Sequence, residues 1–165
     1  MSAALRPFLS ADVPVLAAIY HESIDELTGE DYSPAQQAAW AAQADDEEAF
    51  AERLARGLTL IATMVGAPVG FATLQGTDHI DMLYVHPSAV GQGVATLLVD
   101  ALEKLAQARG ATRVNADVSD TARPFFERRG FAPERRNTVA LGDEWLGNTT
   151  MQKRLVRADE KGRSS

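Results

Sequence analysis

Residues 80–107, IDMLYVHPSAVGQGVATLLVDALEKLAQ, divide into a strand, a glycine-punctuated turn and an amphipathic helix. Pro87 lacks an N–H and pushes His86 towards extended backbone, so the strand ends at Val85. Beyond the turn, Val94, Leu97, Leu98, Ala101, Leu102 and Leu105 recur at the three-and-four spacing of one helical face. Gly91 and Gly93 therefore open a helix, whose first N–H groups have no intrahelical partner and carry partial positive charge. Two readings follow: the glycines shape a tight turn, or the amides from Val90 to Ala95 cradle a phosphate. A Rossmann G-x-G-x-x-G is excluded because Thr96 holds its third position, and the Walker lysine is missing.

The chain has 165 residues, 45% of them apolar, which predicts one domain over 1–156 followed by a polar tail, 157–165. It contains no cysteine, which rules out disulfides, thiolate metal sites and a cysteine nucleophile, and no metal is expected. The net charge of −7 argues against nucleic acid as a partner and leans towards cationic amines. No stretch has the length of a membrane span and MSAALRPF carries no long apolar run, so a cytoplasmic protein with no membrane partner is expected. Whether it forms a homodimer is left open.

Taken in order, a strand over Leu5–Leu9 precedes a helix capped by Ser10, with Val13, Leu16, Ala17, Tyr20, Ile24 and Leu27 on its inner face. Glu22, Asp25 and Glu26 fall on the outer, solvated face. Ser33, Pro34 and Gln36 form a capping box for a helix bearing Trp40, and Asp45 caps a third helix that ends at Gly57. Strands over Leu58–Val65 and Pro68–Gln75 turn at Gly66-Ala67, and Gly76-Thr77-Asp78 leads into His79–Val85. A meander followed by a helix predicts an α+β fold. Alternation along the third strand groups His79, Asp81, Leu83 and Val85 apart from Ile80, Met82 and Tyr84. After Gly110 come a strand over Thr112–Val118, a helix capped by Asp120 or Thr121 and stopped by Gly130, and strands over Ala132–Leu141 and Glu144–Leu155. Arg129, Arg135 and Arg136 read as a solvated basic face or as contacts to a phosphate.

The chain resembles the GCN5-related N-acetyltransferases from Leu5 to about Leu155. The coenzyme-A loop pattern of that family, Arg/Gln-x-x-Gly-x-Gly/Ala after a V-x-P strand end, reads here as Val90, Gly93 and Ala95 after Val85-His86-Pro87. A second pattern, Asn-x-x-Ala-x-x-x-Tyr-x-x-x-Gly-Phe, reads as Ser119, Ala122, Phe126, Gly130 and Phe131. DYSPAQQAAW matches a subgroup. The resemblance implies a three-layer fold with a mostly antiparallel mixed sheet between helices, and acetyl-CoA as cofactor. It places the cofactor against Leu83, Tyr84, Val85, Val90, Gly91, Gln92, Gly93, Val94, Ala95, Thr96, Ser119, Ala122, Phe125 and Phe126.

By the same resemblance His79 takes the place of a glutamate that acts as general base, with Asp81 beside it. The competing reading is a strand-end histidine paired with Asp81. Imidazole suits the task because it titrates near neutral pH. The main-chain N–H of Val85 would polarise the thioester carbonyl. Phe126 stands where the family has a proton-donating tyrosine, so that role is vacant or has moved to Tyr20, Tyr32, Tyr84 or water. Glu22, Asp25 and Tyr32 are candidates for gripping the acceptor. The implied function is acetyl transfer to a small-molecule or peptide amine by direct attack, since no cysteine can carry the acetyl group. The departures at Val90 and Phe126 keep an alternative open, a non-catalytic acyl-CoA sensor.

Overall fold

The computed structural model describes residues 2–156, so the predicted polar tail lies outside the described residues. Strand β1 (Ala4–Pro7) leads to helices α1 (Val13–Leu27), α2 (Pro34–Ala41) and α3 (Glu47–Arg56). The meander β2 (Leu58–Met64), β3 (Ala67–Gln75) and β4 (His79–Val85) follows, then α4 (Val94–Ala108), β5 (Arg113–Ser119) and α5 (Arg123–Arg128). The hairpin β6 (Ala132–Leu141) and β7 (Glu144–Arg154) ends the described chain.

All strands join one sheet of order β1-β2-β3-β4-β5-β7-β6. Every neighbouring pair is antiparallel except β4 and β5. Helix α4 buries Val94, Leu98 and Leu102 on one face against Ala72, Leu74 and Val114. Leu16, Tyr20, Ile24, Phe50 and Leu54 of α1 and α3 pack on the other face against Ile61, Phe71 and Met82. Two helical layers thus enclose the sheet, the α+β, three-layer arrangement expected from the sequence. Gly70 permits the close seat of α4, because a Cβ there would lie 3.0 Å from both the Tyr84 oxygen and Val94 Cγ1.

Several local expectations shift by a residue or change hands. The segment before α1 is a 3-10 turn whose amide bond goes to Asp12, not Ser10: the Asp12 carboxylate accepts from Leu9 N at 2.8 Å and from both Arg6 Nη atoms. Asp46 rather than Asp45 caps α3, accepting from Ala49 N at 3.1 Å, while Asp45 binds the His21 ring. Ser119 rather than Asp120 or Thr121 caps the turn into α5, its Oγ accepting from Ala122 N at 3.1 Å. The first hairpin turns at Val65-Gly66, and Ala67 is already in strand. The Ser33–Gln36 capping box forms as expected.

The departure with consequences lies in β4. Thr73 faces Met82 while Leu74 faces Ile80, so Asp81 is an extra residue, a β-bulge. One added residue reverses the alternation of faces on its far side. Ile80 therefore joins the α4 core with Leu83 and Val85, and Met82 and Tyr84 join the opposite core. The expected grouping of His79 and Asp81 with Leu83 and Val85 is corrected by this bulge. The bulge also marks the limit of strand pairing: β4 and β5 are joined only at His79↔Asn115 and Ile80↔Ala116, then separate.

Candidate active site

The separation of β4 from β5 opens a cavity of about 560 Å³. A second, of about 250 Å³, lies on the side of the β6–β7 hairpin. Trp40, Ile80, Asp81, Tyr84, Asp117 and Ser119 line both, so the two meet at the point of divergence.

The glycine turn forms one end of the larger cavity. Gly91 and Gly93 have φ of 81° and 79°, the left-handed region, and a Cβ at either would meet nothing within 4 Å. The first intrahelical bond of α4 runs from Leu97 N to Gly93 O at 3.0 Å. The N–H groups of Val94, Ala95 and Thr96 are thus left without helical partners, no side chain caps them, and the first turn holds no acidic residue. Open amides, positive helix end and free space suit an anionic diphosphate. Val85 to Thr96 face this cavity except for His86, Pro87, Ser88 and Gln92. Gln92 instead donates from Nε2 to Ser88 O at 3.2 Å. Leu83, Tyr84, Ser119, Ala122, Phe125 and Phe126 complete the wall.

Arg128 also lines this cavity, and the sequence reading missed it. The signal was available, since Arg128 follows Phe125 at helical i,i+3 spacing. The arginines chosen from sequence are occupied elsewhere. Arg129 pairs with Asp100 and Glu103, Arg136 pairs with Asp120, and Arg135 donates to Asn137 at 2.9 Å.

His86 N donates to Val69 O on β3 at 2.8 Å. Successive strand amides point to opposite sides, so the Val85 N–H turns away from β3 towards the side that β5 has left.

The smaller cavity collects His79, Asp81 and Tyr84. His79 Nδ1 lies 2.5 Å from Asn115 Oδ1; an amide oxygen only accepts, so Nδ1 donates this bond, and Nε2 makes no hydrogen bond among the described residues. Asp81 does not pair with His79. Its carboxylate receives Arg53 Nε at 2.9 Å and Nη2 at 3.3 Å. Burial opposes the Arg53 charge, but the Asp81 hydrogen bonds and charge outweigh it and raise the guanidinium pKa.

Trp40 Nε1 donates to the Tyr84 hydroxyl at 3.2 Å, and the Tyr20 ring lies against Tyr84 with centroids 4.5 Å apart. Burial above all pushes the Tyr84 phenol well up, and burial also raises Tyr20 and Tyr32. Tyr84 therefore keeps its proton across the neutral range. Above the ordinary phenol value of 10.0 the unfolded chain sheds protons that the folded chain retains, so stability is full below that pH and falls as pH rises. Urea midpoints at pH 8 and about pH 11 should show this fall, smaller in Tyr84→Phe. Equal midpoints would contradict the burial of these phenols.

The proposed acceptor residues are placed differently. Tyr32 lines the smaller cavity, but its hydroxyl donates to Gly147 O at 2.6 Å and accepts from Asp120 N at 2.9 Å. It ties the α1–α2 connection to β7 and to the residue after β5 rather than offering a free proton. Glu22 pairs with His86, and neither Glu22 nor Asp25 lines either cavity. The α1 residues that do are Ser23, Ile24 and Leu27 in the larger cavity and Tyr20 in the smaller, because helical rotation carries Glu22 and Asp25 outward.

Comparison with known proteins accords with this geometry. The acetyltransferase (GNAT) domain model matches residues 28–155. The uncharacterized N-acetyltransferase YafP of Escherichia coli is 33% identical over 148 residues, covering 90% of this chain and 93% of its own. The crystal structure of a GCN5-related N-acetyltransferase from Rhodopseudomonas palustris superposes with a TM-score of 0.93 at 59% identity, covering 94% of this chain and 97% of its own. The PaiA N-acetyltransferase of Thermoplasma acidophilum, solved with coenzyme A, shares the fold at a TM-score of 0.77 and 19% identity, over 93% and 99% of the two chains. The chain belongs to the GNAT acetyltransferase family and is an acetyltransferase enzyme.

Proposed function

We propose that the protein transfers an acetyl group from acetyl-CoA to a small primary amine by direct attack. The observation that carries this reading is the continuous path from the open amides of α4, past the Val85 N–H, to the cavity holding His79. A bound thioester supplies the acetyl group and a thiolate leaving group. The α4 amides and Arg128 would hold the diphosphate, as the coenzyme A bound to the Thermoplasma acidophilum relative makes reasonable. Phe125, Phe126 and Ala122 would flank its apolar arm.

At about 3.3 Å per residue, His79 lies roughly 15 Å along β4 from Tyr84. Its Nε2 therefore draws the acceptor's proton through water, and Asn115 fixes which nitrogen does so. Tyr84, its proton retained by burial, replaces the tyrosine missing at Phe126 and holds a proton for the departing sulfur. The Val85 N–H faces the charge that develops on the carbonyl oxygen.

A compact acceptor is favoured over an extended peptide because the smaller cavity holds only about 250 Å³ and is crossed on its β7 side by contacts from the segment before and within α2. Tyr32 binds Gly147 there, and Gln36 Nε2 donates to Trp145 O at 2.7 Å. The test is to offer isotope-labelled acetyl-CoA with a panel of amines, amino acids and lysine peptides. Labelled product from small amines is expected. Coenzyme-A binding without transfer to any acceptor would identify a sensor instead.

A further inference from the structure

Asp117 has no counterpart in the sequence reading. It sits on β5 in the stretch that has parted from β4, and it is exposed to both cavities. Because β5 runs parallel to β4 from the His79↔Asn115 pair, Asp117 stands two positions, roughly 7 Å, nearer the glycine-turn end than His79. Alternation keeps it on the face of Asn115 and Ser119, while Ala116 and Val118 enter the α4 core.

Arg135 Nη2 reaches the Thr150 hydroxyl beside Asp117 at 3.4 Å and makes no ion pair among the described residues. Asp81 is satisfied by Arg53, and His79 by Asn115. Asp117 accepts only from the Thr150 hydroxyl, at 2.6 Å. That hydroxyl in turn accepts from Asn137 Nδ2 at 2.8 Å, so its proton is directed at Asp117 and holds it as an acceptor. Among the described residues, no cation contacts the Asp117 carboxylate. The smaller cavity beside it sets the apolar and aromatic Trp40, Tyr84, Val139, Leu141 and Leu146 among the polar Gln43, Arg53, His79 and Asn148.

We propose that Asp117 anchors the acceptor's ammonium at the junction of the two cavities and restricts acceptors to a primary ammonium on an apolar stem, without a carboxylate beside it. This rests on the acetyltransferase reading of the same site. The carboxylate meets the cation directly, and the Trp40 and Tyr84 rings accept its flank. An α-carboxylate would be driven against Asp117, with Arg53 already engaged by Asp81, so free α-amino acids are disfavoured. A free alkylamine and a lysine side chain share the permitted chemistry.

The probes are 2-phenylethylamine, phenylalanine and an Nα-acetyl-lysine amide, each titrated calorimetrically into the coenzyme-A-loaded protein and assayed for acetylation. Wild type should bind 2-phenylethylamine about 10- to 100-fold more tightly than phenylalanine, and Asp117→Asn should narrow that gap by weakening the amine alone. Asparagine still accepts from Thr150, and Asp117→Ser provides a second variant of different shape. Coenzyme-A affinity should be the same in all three proteins. Equal amine binding in wild type and both variants, or equal binding of phenylalanine, would overturn the anchor. Tight, Asp117-dependent amine binding without turnover would support the anchor and overturn the transferase reading alone. The stronger acetylation of either the lysine amide or 2-phenylethylamine identifies which source of the cation the anchor serves.

Discussion

Coenzyme A is expected to give no thermal shift in Gly93→Val, while shifting wild type and Gly66→Val alike. Both glycines have φ of 79° and open space where a Cβ would project. Valine in the left-handed region costs about 1–2 kcal/mol at either place, so the two variants should lose similar stability. They differ in what the open space is for. At Gly66 it is solvent beyond a hairpin turn. At Gly93 it lies before the unpartnered amides of α4, and a β-branched side chain there would occupy the phosphate position. A loss of affinity of about 100-fold or more is expected by calorimetry for Gly93→Val only. Affinity within about threefold of wild type would remove the helix end from the binding site.

The second large effect is expected at His79. His79→Ala should lower kcat about 100-fold, the lower range for loss of a general base, with little change in KM for acetyl-CoA. The substitution leaves the α4 amides untouched and removes only the ring held by Asn115. Asn115→Leu keeps the imidazole but frees its orientation and tautomer, so it should shift the pH–rate profile as well as reduce kcat. A structural role for Asn115 would lower stability without moving that profile. If His79→Ala retained its turnover, the proton would have to leave by another route, with Asp117, whose carboxylate carries no ion pair among the described residues and lines both cavities, the next group to examine.

Much of the architecture is legible from local pattern. The three-and-four spacing from Val94 to Leu105, the Pro87 break and the glycine pair place α4 and its open end before any tertiary contact is known. The same is true of the meander, whose alternation and turn residues set three antiparallel strands. Cap identities slipped by a residue because neighbouring carboxylates compete. Asp45 has His21 and Asp120 has Arg136 as long-range partners, so the adjacent Asp46 and the earlier Ser119 take the amides.

Which side chains meet at the site could not be read along the chain. Strand faces alternate with a period of two, so the single extra residue at Asp81 was enough to reverse the assignment of His79 relative to Leu83 and Val85. The bulge becomes apparent only from the pairing of β3 with β4. Likewise Arg53, Asn115 and Asp117 acquire their roles from partners 28, 36 and 33 residues away, through contacts that no local spacing records. Periodicity and turn chemistry are properties of neighbouring residues, and they set the elements and the uncapped end of α4. The chemistry between β4 and β5 depends on where two parallel strands part, and that is decided by packing across the whole sheet.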